Sequence, residues 1–141
     1  MRVPMKVDYG VRALVDLAQQ GNERPVRTAE IAQRQHIPEP YLDQVLTTLN
    51  KFGFIRSRRG PRGGHLLARD PAGITLSDVV ATLEGRTAPL DCITDADDCV
   101  LSGSCTQRDI WRGVEEAIQT VLNATTVWEL ANPRVPVAVL R

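Results

Sequence analysis

The sequence predicts a mainly α-helical chain that carries one small β-hairpin and closes on a long helix. Three observations lead there. Apolar residues recur at helical spacing in separate stretches before residue 53. Two short strand-like runs, FIRSR and HLLAR, flank the turn GPRGG. Residues 104–131 then place Ile110, Val114, Ile118, Val121 and Leu122 on one side of a helix with no proline to interrupt it.

Taken in order, residues 4–19 read as a helix whose Val7, Val11, Leu14 and Ala18 form one apolar stripe, ended by Gly21-Asn22. Thr28 is the expected N-cap of a short helix, TAEIAQRQ, that stops near His36. Ile37-Pro38 marks a turn, and Pro40 is placed as the first residue of a third helix with Leu42, Val45, Leu46 and Leu49 toward a core. Gly53 is its expected C-cap. After the hairpin, Thr75 and Asp78 make a capping-box pattern for ITLSDVVATL, closed by Gly85. The segment up to Cys105 reads as a loop, and Ser104-x-x-Gln107 as a second capping box that puts Cys105 at the first position of the long helix. The tail NPRVPVAVLR is broken by prolines and is expected to be loose.

Two short helices joined by a tight turn, followed by a basic hairpin, describe a winged helix-turn-helix. Its second helix would offer Glu39, Tyr41, Asp43, Gln44 and Thr47 or Thr48 to base edges, with Thr28 at the start of the first. The hairpin would lay Arg58, Arg59 and Arg62 along phosphates or a minor groove. The zero net charge conceals segregation. Residues 51–69 hold six basic side chains and no acid, whereas residues 84–109 hold six acids against Arg86 and Arg108. A local basic patch is the electrostatic footprint of a double-stranded DNA partner, although any solvated surface also carries charge clusters.

At 141 residues and 43% apolar composition the chain suits one domain with an added element. The expected division is a DNA-binding domain at 1–85, a cysteine-bearing loop at 86–105, a helix for dimerisation at 104–132 and a flexible tail at 133–141. No apolar run of about eighteen residues occurs, and MRVPMKVDYG is too polar for a signal-peptide core. The expectation is a cytoplasmic protein with no membrane partner and reduced thiols. No C-x-x-C, nucleotide-binding glycine pattern or nucleophile–base constellation supports an enzyme, although a redox protein or cluster carrier would use the same cysteines.

Those cysteines, Cys92, Cys99 and Cys105, all fall in CITDADDCVLSGSC at a spacing of C-x6-C-x5-C. An odd count in a reduced setting favours a metal or a reactive thiol over a disulfide framework. Structural zinc sites pair ligands two to four residues apart, which this spacing does not do. Zinc at an unusual spacing, a reversible thiol switch, an iron–sulfur cluster and no bound ligand all remain open on chemistry alone. Of the histidines, His36 is placed to cap a helix or face solvent, and His65, in the second strand, to pack or meet phosphate.

The first helix MKVDYGVRALVDLA, the stretch IPEPYLDQVLTTLNKFGFIRSRRGPRGGHLLARDP, the following ITLSDVVATLEG and the block from Cys92 through Ile110-Trp111 to Trp128-Glu129-Leu130 resemble the IscR/NsrR-type family of bacterial winged-helix regulators. The likeness runs over about residues 1–132. It implies a homodimeric transcriptional regulator, in the main a repressor, acting on a palindromic operator, with the long helices of two subunits crossing. It also implies an iron–sulfur cluster, 4Fe–4S in preference to 2Fe–2S, on Cys92, Cys99 and Cys105. Many members have one residue fewer in the first gap. The histidine that completes the set in the cluster-biogenesis regulator is replaced here by Gln107. The aspartate that the nitric-oxide-sensing repressor takes from the other subunit is matched by Asp8. The implied effector is nitric oxide, redox state or iron supply.

Overall fold

The computed structural model describes residues 2–85 and 88–133, so the tail expectation for 134–141 and the position of Arg86 lie outside the described residues. Seven helices and one hairpin occur among the described residues: α1 (Met5–Gln20), α2 (Thr28–Gln35), α3 (Glu39–Lys51), β1 (Ile55–Arg58), β2 (Gly64–Leu67), α4 (Leu76–Leu83), α5 (Asp91–Thr94), α6 (Arg108–Ala124) and α7 (Val127–Ala131). Short 3-10 turns stand at Pro71–Gly73 and Ala96–Asp98. The chain is mostly helical, with β1 and β2 antiparallel and Ile55 opposite Leu67. No helix among the described residues is long and apolar enough to cross a membrane.

The core forms where the predicted apolar faces meet. Leu14 and Leu17 of α1, Ile31 of α2, and Leu42, Leu46 and Leu49 of α3 are buried together with Phe54, Ile55, Ile74 and Val79. Val11 and Ala18 pack partly buried against that cluster. Burying each such side chain contributes about 1.5–3 kcal/mol. α1 is the central element and packs against α2, α3, α4 and α7.

Helix ends depart from expectation where a tertiary partner displaces a local one. Thr28 is not the N-cap of α2 but its first residue, with Arg27 at the cap. The Thr28 hydroxyl is engaged by His65, and the Arg27 amide is satisfied by the Glu30 carboxylate at 3.0 Å. α3 begins at Glu39, one residue before Pro40. Thr75 and Asp78 do form their reciprocal cap on α4.

The long last helix is two helices. Thr125 leaves the helical conformation, and Thr126 pairs with Thr75 in an isolated β-bridge. The Leu76 amide donates to the Thr125 carbonyl and the Val127 amide to the Ile74 carbonyl, both at 2.9 Å. These bonds interrupt the helix and bring Val127 fully into the core. As a result α7, rather than α6, lies on α1, while α6 packs on α4 and α5. The start of α6 moves as well. Gln107 is its N-cap and accepts a hydrogen bond from the Trp111 indole at 3.0 Å instead of closing a box with Ser104. Cys105 therefore precedes the helix and lacks the dipole position expected for it.

Candidate functional site

The basic hairpin and the helix pair form one continuous face. From α3, Glu39, Tyr41, Asp43, Gln44 and Thr47 are all exposed, while Leu42, Val45, Leu46 and Leu49 hold the opposite side in the core. The Thr47 hydroxyl donates back to the Asp43 carbonyl at 2.7 Å. Arg58, Arg59 and Arg62 are exposed on the wing and its turn. Thr28 is only half-exposed, because its side chain meets His65.

The wing is held against the helix pair by its backbone. The His65 amide and carbonyl pair with Val26 in both directions, at 2.7 and 2.9 Å. Such an approach leaves no room at the adjoining position: a Cβ on Gly64 would stand 2.6 Å from the Val26 carbonyl oxygen, and its φ of +148° is one that side-chain-bearing residues rarely adopt. On the strand opposite His65, the Ser57 amide donates to the Asn50 side chain of α3 at 3.2 Å. Arg27, which the sequence did not single out, reaches across to the Pro61 carbonyl at the wing turn. Only its place just ahead of α2 hinted at this. An open groove of about 350 Å³ lies between wing and α2, lined by Arg27, Thr28, Arg58, Gly63, Gly64 and His65 among others. Burial pushes the His65 imidazole below its ordinary range, with Asp43 acting weakly in the other direction.

The cysteine segment is more ordered than a plain loop. Cys92 is buried within α5, and its carbonyl accepts two hydrogen bonds from the Arg108 guanidinium, at 2.7 and 3.2 Å. Cys99 is exposed and Cys105 half-exposed. Ser102, between them, keeps a buried hydroxyl with no hydrogen-bond partner among the described residues. Three thiols are a donor set suited to an iron–sulfur cluster. Within one chain, however, no three His, Cys, Asp or Glu side chains are gathered closely enough to hold a metal among the described residues.

Asp8 sits on α1, where its carboxylate accepts a fork from Arg12 at 2.7 and 3.0 Å. Arg12 also donates to the Gln35 carbonyl at the end of α2, at 3.1 Å. Deeper on α1, the buried Asp16 accepts two bonds from Arg34 and one from the Gln35 side-chain amide. Gln35 is thus gripped by α1 through both its backbone and its side chain. His36, the other histidine, is exposed in a left-handed conformation at the end of α2.

Comparison with known proteins agrees with this architecture. Residues 3–133 match the family described as "Rrf2: Iron-dependent Transcriptional regulator". The chain is 37% identical over 130 residues to Protein rrf2 of Nitratidesulfovibrio vulgaris, covering 92% of this chain and 87% of that one. It is similar to the solved structure of CymR, the global cysteine regulator of B. subtilis, with a TM-score of 0.78, 30% identity, and 93% and 96% of the two chains covered. It is likewise similar to T. potens IscR, with a TM-score of 0.76, 31% identity, and 100% and 97% covered. A winged helix-turn-helix with a basic wing, matched over nearly its whole length by transcriptional regulators and by no enzyme among these, places this chain in the Rrf2 family of DNA-binding transcriptional regulators.

Proposed function

We propose that the chain is a cytoplasmic, homodimeric repressor of a palindromic operator whose DNA affinity is set by an iron–sulfur cluster. Cys92, Cys99 and Cys105 of one subunit would hold the cluster, with Asp8 of the partner subunit completing the set. The observation that carries this reading is the confinement of all three cysteines to one segment, in a chain whose family is described as iron-dependent. The orphan hydroxyl of Ser102 within that segment supports it further. When bound, such a cluster supplies a centre that nitric oxide, oxidants or iron depletion can alter, and a single oxygen ligand leaves one iron labile.

The protein's own part is to connect that site to the reading head. The carboxylate of Asp8 that would serve as a ligand is the one that orients Arg12, and Arg12 in turn holds the carbonyl at the end of α2. Engaging Asp8 elsewhere loosens this fork. A modest shift of α2 and α3 relative to a dimer axis then alters half-site spacing, to which a two-fold reader is sensitive.

Anaerobic purification with iron and sulfide analysis tests the reading. Stoichiometric iron and sulfide, with operator affinity that changes on nitric oxide exposure, is the expected result. Asp8→Ala should fold normally yet lose iron faster to a chelator. A colourless, iron-free protein would sink the cluster reading. The exposed Cys99 and half-exposed Cys105 favour a second reading, a thiol-redox regulator, with a cysteine regulator among its similar structures. In that case the iron-free protein would change its DNA affinity on peroxide treatment and recover with a thiol reductant.

A further inference from the structure

His65 is where the wing is fastened to the helix pair, and its ring is held on both sides just as its backbone is. Nε2 lies 2.8 Å from the Thr28 hydroxyl and Nδ1 lies 2.7 Å from the Ser57 hydroxyl. The groove opens beside this ring. Arg27 and Arg58 stand along it, and no carboxylate lines it among the described residues. At the first turn of α2 the amides of Thr28 and Ala29 have no intrahelical acceptor, as in any helix start. Arg27 ahead of α2 and Arg58 from β1 share the groove lining with His65, and Asp43 of α3 is the charge that acts on its imidazole.

We propose that this groove seats a DNA backbone phosphate, and that filling it draws a proton onto His65, so that duplex binding is linked to pH. The proposal rests on the DNA-binding character of the family and adds the position of one phosphate contact, a role for Arg27 and a proton. Its chemistry is simple. Burial favours the neutral imidazole, with one ring nitrogen donating and the other accepting. Serine and threonine hydroxyls can each donate or accept, so protonation lets both nitrogens donate without moving a heavy atom. Burial disfavours that extra charge in the free protein, and a phosphate seated beside the ring favours it.

The sign follows from linkage. On this proposal the imidazole pKa is higher in the complex than in the free protein, where burial holds it below its ordinary value. The added affinity is fully present below the free-protein value and is lost as pH rises through the value in the complex. His65 is therefore a positioning residue for the wing whose protonation reports an occupied groove.

The test uses the full chain and a fluorescent duplex of about 30 base pairs of arbitrary sequence, long enough for two half-sites, because phosphate contacts do not read bases. Binding is measured at about pH 5.5 and about pH 8, for wild type, His65→Gln and Arg27→Gln. Wild type should bind at least about fivefold more tightly at the acid pH, and His65→Gln should lose that ratio. A purely structural role for His65 would instead lower affinity by the same factor at both pH values. Arg27→Gln should reduce the slope of affinity against salt by about one phosphate per subunit. In the wild type, the His65 ring resonance should titrate at higher pH with duplex than without, a readout that needs no variant to fold. An equal pH ratio in wild type and His65→Gln, or a ring titration that duplex leaves unmoved, overturns the proposal. No duplex binding by wild type at any salt would instead refute the DNA-binding reading itself.

Discussion

Asp16 and Asp8 lie two turns apart on α1, yet their surroundings give them different energetic weight. Asp16 is 1% exposed and accepts hydrogen bonds from Arg34 at 2.9 and 2.8 Å and from Gln35 at 3.1 Å. The Asp16 hydrogen bonds raise the Arg34 pKa above its already high ordinary value. Removing the carboxylate takes the acceptor from the Arg34 and Gln35 donors and leaves a gap where Asp16 was buried, so Asp16→Ala should cost about 2 kcal/mol in urea denaturation. A loss below about 0.5 kcal/mol would show that the pair is solvated. The Asp8–Arg12 pair is about two-fifths exposed at both side chains and one turn apart on the same helix, so it contributes less than about 1 kcal/mol. Its weakness suits the role proposed for Asp8, which would have to leave Arg12 to reach a cluster. The i,i+4 spacing of Asp8 and Arg12 could be read from the sequence, whereas a separation of eighteen positions hid the pairing of Asp16 with Arg34.

At the scale of elements, the wing depends on two adjacent glycines more than on its arginines. Gly63 and Gly64 let the hairpin close beside Arg58 and Val26, where a Cβ would meet backbone in both cases. Gly64→Ala combines that clash with an unfavourable φ and should cost about 2–3 kcal/mol, with the loss concentrated in the hairpin. Gly60→Ala, at φ +103° but in open space, should cost only about 1 kcal/mol. Amide exchange would separate the two, since only Gly64→Ala should release the Val26 and His65 amides while α1 and α3 stay protected. The turn GPRGG marked this site in the sequence. That Val26 was the obstacle became visible only once the wing was docked.

At the scale of the molecule, α6 is seventeen residues long and strongly two-faced, yet none of its residues is fully buried among the described residues. Ile110 is 68% and Val121 62% exposed. A second copy of the chain is the cover that the proposed dimer supplies. Ile110→Asp with Val121→Glu should weaken self-association by about 2 kcal/mol or more, seen as a shift to monomer in sedimentation, with helical content unchanged. Undiminished association would place the dimer contact elsewhere. The same arrangement explains why the cysteine segment is incompletely legible in one chain. Three donors are local to it, and the proposed fourth belongs to another subunit.

The sequence by itself determined the helix pair, the apolar faces of α1 and α3, the basic hairpin, the reciprocal cap on α4 and the grouping of the cysteines. Each is written in periods of a few residues, where local propensity and hydrophobic spacing act. Only the tertiary structure decided that the last helix breaks at Thr125, that Arg27 rather than Thr28 caps α2, that α6 starts beyond Cys105, and that His65 fastens the wing. Hydrogen bonds between residues distant in the chain decided most of these, with Thr126 paired to Thr75 and Thr28 to His65. A hydroxyl or an amide takes the partner that folding brings to it, and a one-dimensional spacing pattern does not contain that partner.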